Sequence, residues 1–369
     1  VYSSFDLAEK AIMVRRFACW LVKNGVFSAA VLGASSGLVL PCPICRADSL
    51  RPGAPVRERT RDQLWVVSCR GEAFSAAEHD ASRLRYSAYR PAGGWSTAAS
   101  EDFLASADPQ AVTCVLVLGN GYTSTETQVT GQKTYRHLVA GLSPETPVRF
   151  VVWSWPSDHA DTGPIKDLRI KAGRTWQVAR SLARWLDDSG PGRQVSLLGT
   201  SFGARVVMEA LELRAGGSAG GSISRPPVNV VLVSAAVDND WLLPGRQLDL
   251  ALSQIDRLLL INNSSDRLLK RYHWLYGRRS TATALGNSGL PASLRVGPDR
   301  ERIAQYDAAP IVGRQHGCSA YFDSPRLVGL MQRYLFLGGV SPASPSVPEA
   351  PPVEGTTIPL ASGGNASTR

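Results

Sequence analysis

The segment Gly199-Thr200-Ser201-Phe202-Gly203 places a serine in the pattern G-x-S-x-G. Small residues on both sides let a strand turn sharply into a helix and hold the hydroxyl at the edge of a sheet, where it can act as a nucleophile. The pattern is short, and the chain holds two further copies, Gly33-Ala34-Ser35-Ser36-Gly37 and Gly216-Gly217-Ser218-Ala219-Gly220. Context separates them. Only the Ser201 copy follows a strand-like run, Gln194 to Leu198, and opens a helix-forming one, Ala204 to Leu213. The Ser35 copy runs into Pro41 and Pro43, and the Ser218 copy lies in a glycine-rich loop.

A serine hydroxyl needs a base, and in a strand-to-helix nucleophile turn the expected chain order is serine, acid, histidine. Of five histidines, only His273 and His316 follow Ser201. His273 sits in the basic, aromatic run Lys270-Arg271-Tyr272-His273-Trp274-Leu275-Tyr276, which suits a surface or pocket wall. His316 lies in the glycine-flanked loop Gly313-Arg314-Gln315-His316-Gly317, late in the chain, where a base can hang over a sheet edge. The acid is expected after a strand near the far edge. Asp266, after Leu258-Leu259-Leu260-Ile261, meets that condition, with Asp238 and Asp240 one strand earlier as runners-up. The developing oxyanion needs two backbone N–H donors. Phe202, following the nucleophile, is one; Asn120 or Gly121, in the glycine-rich turn after Val112 to Leu118, is the second. The same Gly119-Asn120-Gly121 turn is the feature a nucleotide-binding protein would use, although the third glycine of a dinucleotide fingerprint is absent.

These side chains need a sheet to bring them together. Candidate strands are Leu64 to Ser68, Arg83 to Tyr89, Val112 to Leu118, Val148 to Trp153, Gln194 to Leu198, Val228 to Val233 and Arg257 to Ile261. Several are continuous apolar runs, as strands covered on both faces must be. Between them, Ile170 to Asp188 repeats Trp176, Ala179, Ala183 and Leu186 on one helical face. Alternating strands and helices predict an α/β fold, a three-layer α/β/α sandwich around a mostly parallel central sheet.

Several stretches read together resemble the α/β-hydrolase superfamily, in an uncharacterised bacterial esterase-like branch known as a domain of unknown function. They are Trp65-Val66-Val67-Ser68-Cys69-Arg70, Phe150 to Asp158, Leu197 to Arg205, Asn262 to Tyr272 and Val312 to Gly317, spanning the core from about Leu64 to Leu335. The resemblance implies an α/β-hydrolase fold and a triad of Ser201, Asp266 and His316. One position departs from it: Leu118 precedes Gly119 where such proteins commonly carry histidine.

Composition narrows the classes further. The 369 residues are 44% hydrophobic, enough for a sizeable core, and carry a formal charge of +9. The arginines behind that charge are scattered, unlike a nucleic-acid footprint, so no nucleic-acid partner is expected. Six cysteines do not make a disulfide scaffold. Cys42 and Cys45 have half a zinc site's spacing, with no histidine at ligand distance.

Residues 1–60 differ from the rest. Arg15 and Arg16 precede short apolar runs ending at Pro41, a signal-like profile that is too short and interrupted for a spanning helix. If residues 13–42 act as a signal, the chain is exported or membrane-associated; otherwise it is cytoplasmic, and membrane contact is confined to that segment. Residues 61–340 form the hydrolase domain, and 341–369, rich in Pro, Ser and Gly, form a disordered tail. The expected function is a serine hydrolase acting on a small-molecule acyl substrate without a cofactor, with the Leu268 to Ile311 segment as a cap or acyl pocket. The alternative is a non-catalytic ligand- or partner-binding protein on the same fold. Nothing in the sequence fixes an oligomeric state.

Overall fold

A computed structural model describes residues 59–71, 83–188, 194–216, 226–277, 279–296 and 301–336. The signal-like segment, the Cys42–Cys45 pair, Ser35, Ser218 and the Pro/Ser/Gly-rich tail all lie outside these residues.

The nine strands among the described residues are β1 (Gln63–Ser68), β2 (Arg85–Arg90), β3 (Gly94–Ala98), β4 (Val112–Val117), β5 (Val148–Ser154), β6 (Val195–Thr200), β7 (Val228–Val233), β8 (Ile255–Asn262) and β9 (Ile303–Asp307). They form one sheet in the order β3-β2-β1-β5-β4-β6-β7-β8-β9. The β1–β2 and β2–β3 pairs are antiparallel, and every other pair is parallel. The longer helices are α1 (Ser100–Ala105), α2 (Ser124–Val139), α3 (Pro164–Asp188), α4 (Phe202–Gly216) and α5 (Pro325–Leu335).

The apolar runs become central strands for the reason their composition suggests. Every residue of β4, β5 and β7 is buried. Because side chains alternate across a strand, each run supplies two cores. Val115, Val117, Val151, Trp153, Val230 and Leu232 pack on one face against Val178, Leu182 and Trp185 of α3 and Val206, Val207 and Leu211 of α4. Cys114, Leu116, Phe150, Val152, Val231 and Val233 pack on the other against Leu138 of α2 and Leu327, Met331 and Leu335 of α5. The result is the expected three-layer sandwich. Cys69 and Cys114 are buried, Cys69 with its Sγ donating to Ser154 O at 3.5 Å, and both fill space as small hydrophobes.

The observed elements differ from the expected ones mainly at the margins. Helix α3 begins six residues before Ile170, because Pro164 suits the first helical position, where no N–H is required. Strand β8 begins at Ile255 rather than Arg257, and β2 runs from Arg85 to Arg90 rather than from Arg83 to Tyr89. Strands β3 and β9 were not foreseen. Both are short, half-exposed edge strands, in which neither continuous hydrophobicity nor a long alternating pattern is required.

Candidate active site

The site is built where β6, β8 and β9 end. After Thr200 the chain turns into α4, and Ser201 at the turn has φ +52°, a left-handed conformation that costs a non-glycine residue roughly 1–3 kcal/mol. Neighbouring backbone holds it there: the Ser201 amide donates to Val233 O at 3.0 Å, and Ala236 N donates to Ser201 O at 3.1 Å. The flanking glycines are required by close approach. A Cβ at Gly203 would lie 2.0 Å from the Val117 carbonyl oxygen, and one at Gly199 would lie 2.5 Å from Ala204 Cα. This copy of the pattern is built as a strand-to-helix turn, and the Ser35 and Ser218 copies lie outside the described residues.

Asp266 follows β8 and is fully buried. Its Oδ1 accepts the amides of Leu268 (2.8 Å) and Leu269 (3.0 Å), while Oδ2 faces His316 Nδ1 at 2.7 Å. His316, in the loop after β9, places Nε2 2.9 Å from Ser201 Oγ. The carboxylate selects the tautomer with the proton on Nδ1, leaving Nε2 to accept the serine proton. Sequence reasoning named all three residues but not the one that joins two of their loops. Asn263 Nδ2 donates to Gln315 O at 2.9 Å and to Tyr321 OH at 3.2 Å, tying the acid loop to the histidine loop. An asparagine just past a strand carries no signal of such a cross-link.

The three alternatives for base and acid, His273, Asp238 and Asp240, are engaged elsewhere. His273 meets the Trp274 ring edge-on. Asp238 Oδ1 accepts hydroxyls from Tyr272 and Tyr276, both at 2.6 Å. Asp240 pairs with Arg246 at 3.2 Å. Beside Asp238 lies a second buried group, in which Arg205 Nε donates to Glu209 Oε1 at 2.9 Å. Burial raises the Glu209 carboxyl, and the Arg205 charge opposes that rise.

The Phe202 amide heads α4, so it has no intrahelical acceptor, and the positive end of the helix dipole lies there. Across from it runs the loop after β4. A Cβ at Gly119 would lie 2.8 Å from Ser201 Cβ, so this turn is packed against the serine. Of the two positions expected to supply the second donor, Gly121 is excluded, because its amide already donates to Ser157 O at 2.7 Å. Asn120 remains, and it lines the same cavity as Ser201 and Phe202. The loop that follows Leu118 is firmly held. Trp155 Nε1 donates to Leu118 O at 2.8 Å, and Tyr122 O accepts from Arg70 Nη2 at 2.6 Å and from Ser157 Oγ at 3.1 Å.

Asn120 is further anchored by a buried ion pair that sequence reasoning missed. Its Nδ2 donates to Asp167 Oδ2 at 3.3 Å, while Asp167 Oδ1 accepts from Lys171 Nζ at 2.5 Å and Ala160 N at 2.7 Å. Asp167 and Lys171 are 3% and 1% exposed, so neither charge is satisfied by water. Burial by itself would raise the Asp167 carboxyl. Hydrogen bonds from His159, Lys171 and the Ala160 amide overcome it and hold the group well below the usual carboxylate range. The only sequence signal is an i, i+4 acid–base pair, which ordinarily marks an exposed helix face.

A cavity of about 290 Å³ opens on Ser201 and His316. Trp274 and Leu275 line it, in keeping with the expected pocket role of the segment after the acid. Tyr276 does not, since it turns to Asp238. Cys318 also lines the cavity, with Sγ 3.1 Å from Tyr122 OH; burial raises its thiol pKa, which keeps it protonated.

The fold and the placement of these residues after β6, β8 and β9 define an α/β-hydrolase-type architecture. No protein-family model matches the chain, and no curated protein matches it. Among solved structures it is similar to a cutinase-like protein from Cryptococcus sp., with 13% identity over 60% of this chain and 91% of that one and a TM-score of 0.32. It is also similar to a gene product of Listeria innocua (12% identity, 61% and 94% covered, TM-score 0.35). A third likeness is to the catalytic core of acetyl xylan esterase from Trichoderma reesei (15% identity, 61% and 96% covered, TM-score 0.31). At such scores these likenesses carry no argument about activity.

Proposed function

We propose that the protein is a serine hydrolase that cleaves an ester, thioester or amide acyl bond through an acyl-enzyme. The observation that carries this reading is the continuous hydrogen-bonded series Asp266–His316–Ser201, at 2.7 and 2.9 Å, ending on a serine with positive φ. Ser201 Oγ attacks the carbonyl carbon while His316 Nε2 takes its proton, and the imidazolium so formed is stabilised by Asp266. The amides of Phe202 and Asn120 donate to the resulting oxyanion. Collapse of the tetrahedral intermediate expels the leaving group, which takes the proton from His316. Water, activated by the same histidine, then attacks the acyl carbonyl and releases the acid, returning the proton to Ser201 Oγ.

A fluorophosphonate probe tests this directly. Folded wild type is expected to label covalently at Ser201, and Ser201→Ala to lose both the label and ester hydrolysis. Label that persists in Ser201→Ala removes this nucleophile. A folded wild type that neither labels nor hydrolyses esters points instead to a non-catalytic binding protein.

A further inference from the structure

The cavity beside Ser201 has an apolar wall made by two chain segments far apart in sequence. The first turns of α3 supply Ile165 and Leu168, and the segment after the acid supplies Leu268, Trp274 and Leu275. Leu168 and Leu275 are only partly covered by the core, so they present apolar surface to the cavity. The two segments are tied together, because Arg169 Nε donates to Leu275 O at 2.9 Å and Arg169 Nη2 to Trp274 O at 3.1 Å. The wall is therefore held in place before any substrate arrives. Charged lining groups are already engaged: Glu126 accepts the Thr123 amide at 3.0 Å, and the Arg271 guanidinium lies 5.4 Å from the Trp274 ring centroid. Both keep their charge, whereas the wall of Ile165, Leu168, Leu268, Trp274 and Leu275 carries none and would bind an uncharged chain.

We infer that this wall is an acyl-binding site for an uncharged, apolar chain of intermediate length. The inference rests on the serine-hydrolase reading and adds the substrate class to it. At roughly 30 Å³ per water-sized group, the cavity of about 290 Å³ holds about ten non-hydrogen atoms. With the ester group itself counted, that fits an acyl chain of about six to eight carbons. Acetyl leaves most of the wall bare, and palmitoyl exceeds the space.

The test is a series of p-nitrophenyl esters from acetate to palmitate, run on the full chain, beside a series of alkyl acetates in which only the alcohol lengthens. Each methylene placed on the wall is expected to raise kcat/KM by up to about fourfold, to a maximum near hexanoate to octanoate, with a fall beyond it. Leu275→Trp and Leu168→Trp, which fill the space, should lower the octanoate-to-butyrate ratio at least tenfold. Trp274→Ala, which enlarges it, should move the maximum to longer chains, so a variant that fails to fold does not end the test. A maximum at acetate, a ratio that none of the three variants moves, or length dependence confined to the alcohol series overturns the inference. In each of those cases fluorophosphonate labelling of wild type still stands for the hydrolase reading. Absence of both labelling and hydrolysis in folded wild type overturns that reading and this inference with it.

Discussion

Asp266→Asn offers the sharpest examination of the triad, because the surrounding backbone dictates how the new amide must sit. Asp266 Oδ1 accepts two backbone N–H groups, from Leu268 and Leu269. In the variant only the carbonyl oxygen can take that place, since an NH₂ there would face two donors. The NH₂ is thereby turned toward His316 Nδ1, 2.7 Å from the position of Oδ2. An NH₂ donates and does not accept, so Nδ1 must give up its proton and Nε2 must carry it. The proton on Nε2 then points at Ser201 Oγ, 2.9 Å away, and the base is silenced. The wrong tautomer in a serine triad lowers kcat by about 10⁴, equivalent to about 5.4 kcal/mol of barrier. The two backbone hydrogen bonds survive, so stability should change by less than about 1 kcal/mol. Asp238→Asn is the control, since its carboxylate serves Tyr272 and Tyr276 and does not reach the histidine. Steady-state kinetics on a p-nitrophenyl ester, with urea unfolding on the same samples, reads both quantities. If Asp266→Asn keeps more than a tenth of wild-type kcat, or if Asp238→Asn loses as much as Asp266→Asn, the assignment of the acid is wrong.

Other expectations follow from packing and burial. Gly203→Ala drives a methyl to 2.0 Å from the Val117 carbonyl oxygen and should destabilise the fold by about 3 kcal/mol. Gly173→Ala, inside α3 with nothing within 4 Å of the new Cβ, should stabilise it by about 0.5–1 kcal/mol, and urea midpoints compare the two. Asp167→Asn leaves Lys171 buried without its counter-charge, at about 3–5 kcal/mol. The Asp167 carboxyl is held below its ordinary range in the folded state, so its contribution is full above a pH of about 4. It is lost as the pH falls through that value toward the folded one. Wild-type melting temperature should therefore drop more steeply between pH 5 and pH 3 than that of Asp167→Asn, and parallel slopes would refute the linkage.

The sequence by itself determined the parts of this protein that depend on local pattern. Continuous apolar runs such as Val112 to Val117 can be satisfied only by cover on both faces, so the central sheet was legible, as was the nucleophile turn, where glycines and a flanking strand and helix are contiguous. Chain order narrowed the base to His273 or His316, and the glycine-flanked loop around His316 and the apolar run before Asp266 then favoured these two. Strands β3 and β9 were not legible, because an edge strand half in water needs neither a long apolar run nor a strong alternation. Tertiary structure alone decided contacts between residues distant in the chain. Asn263 joins the acid and histidine loops across 52 residues, and Asn120 meets Asp167 across 47. The same holds for Gly121: its amide looked available from sequence, but Ser157, brought alongside by the pairing of β4 with β5, accepts it. Local pattern reports which face of an element is buried, whereas the partner of a single polar atom depends on how separate elements meet.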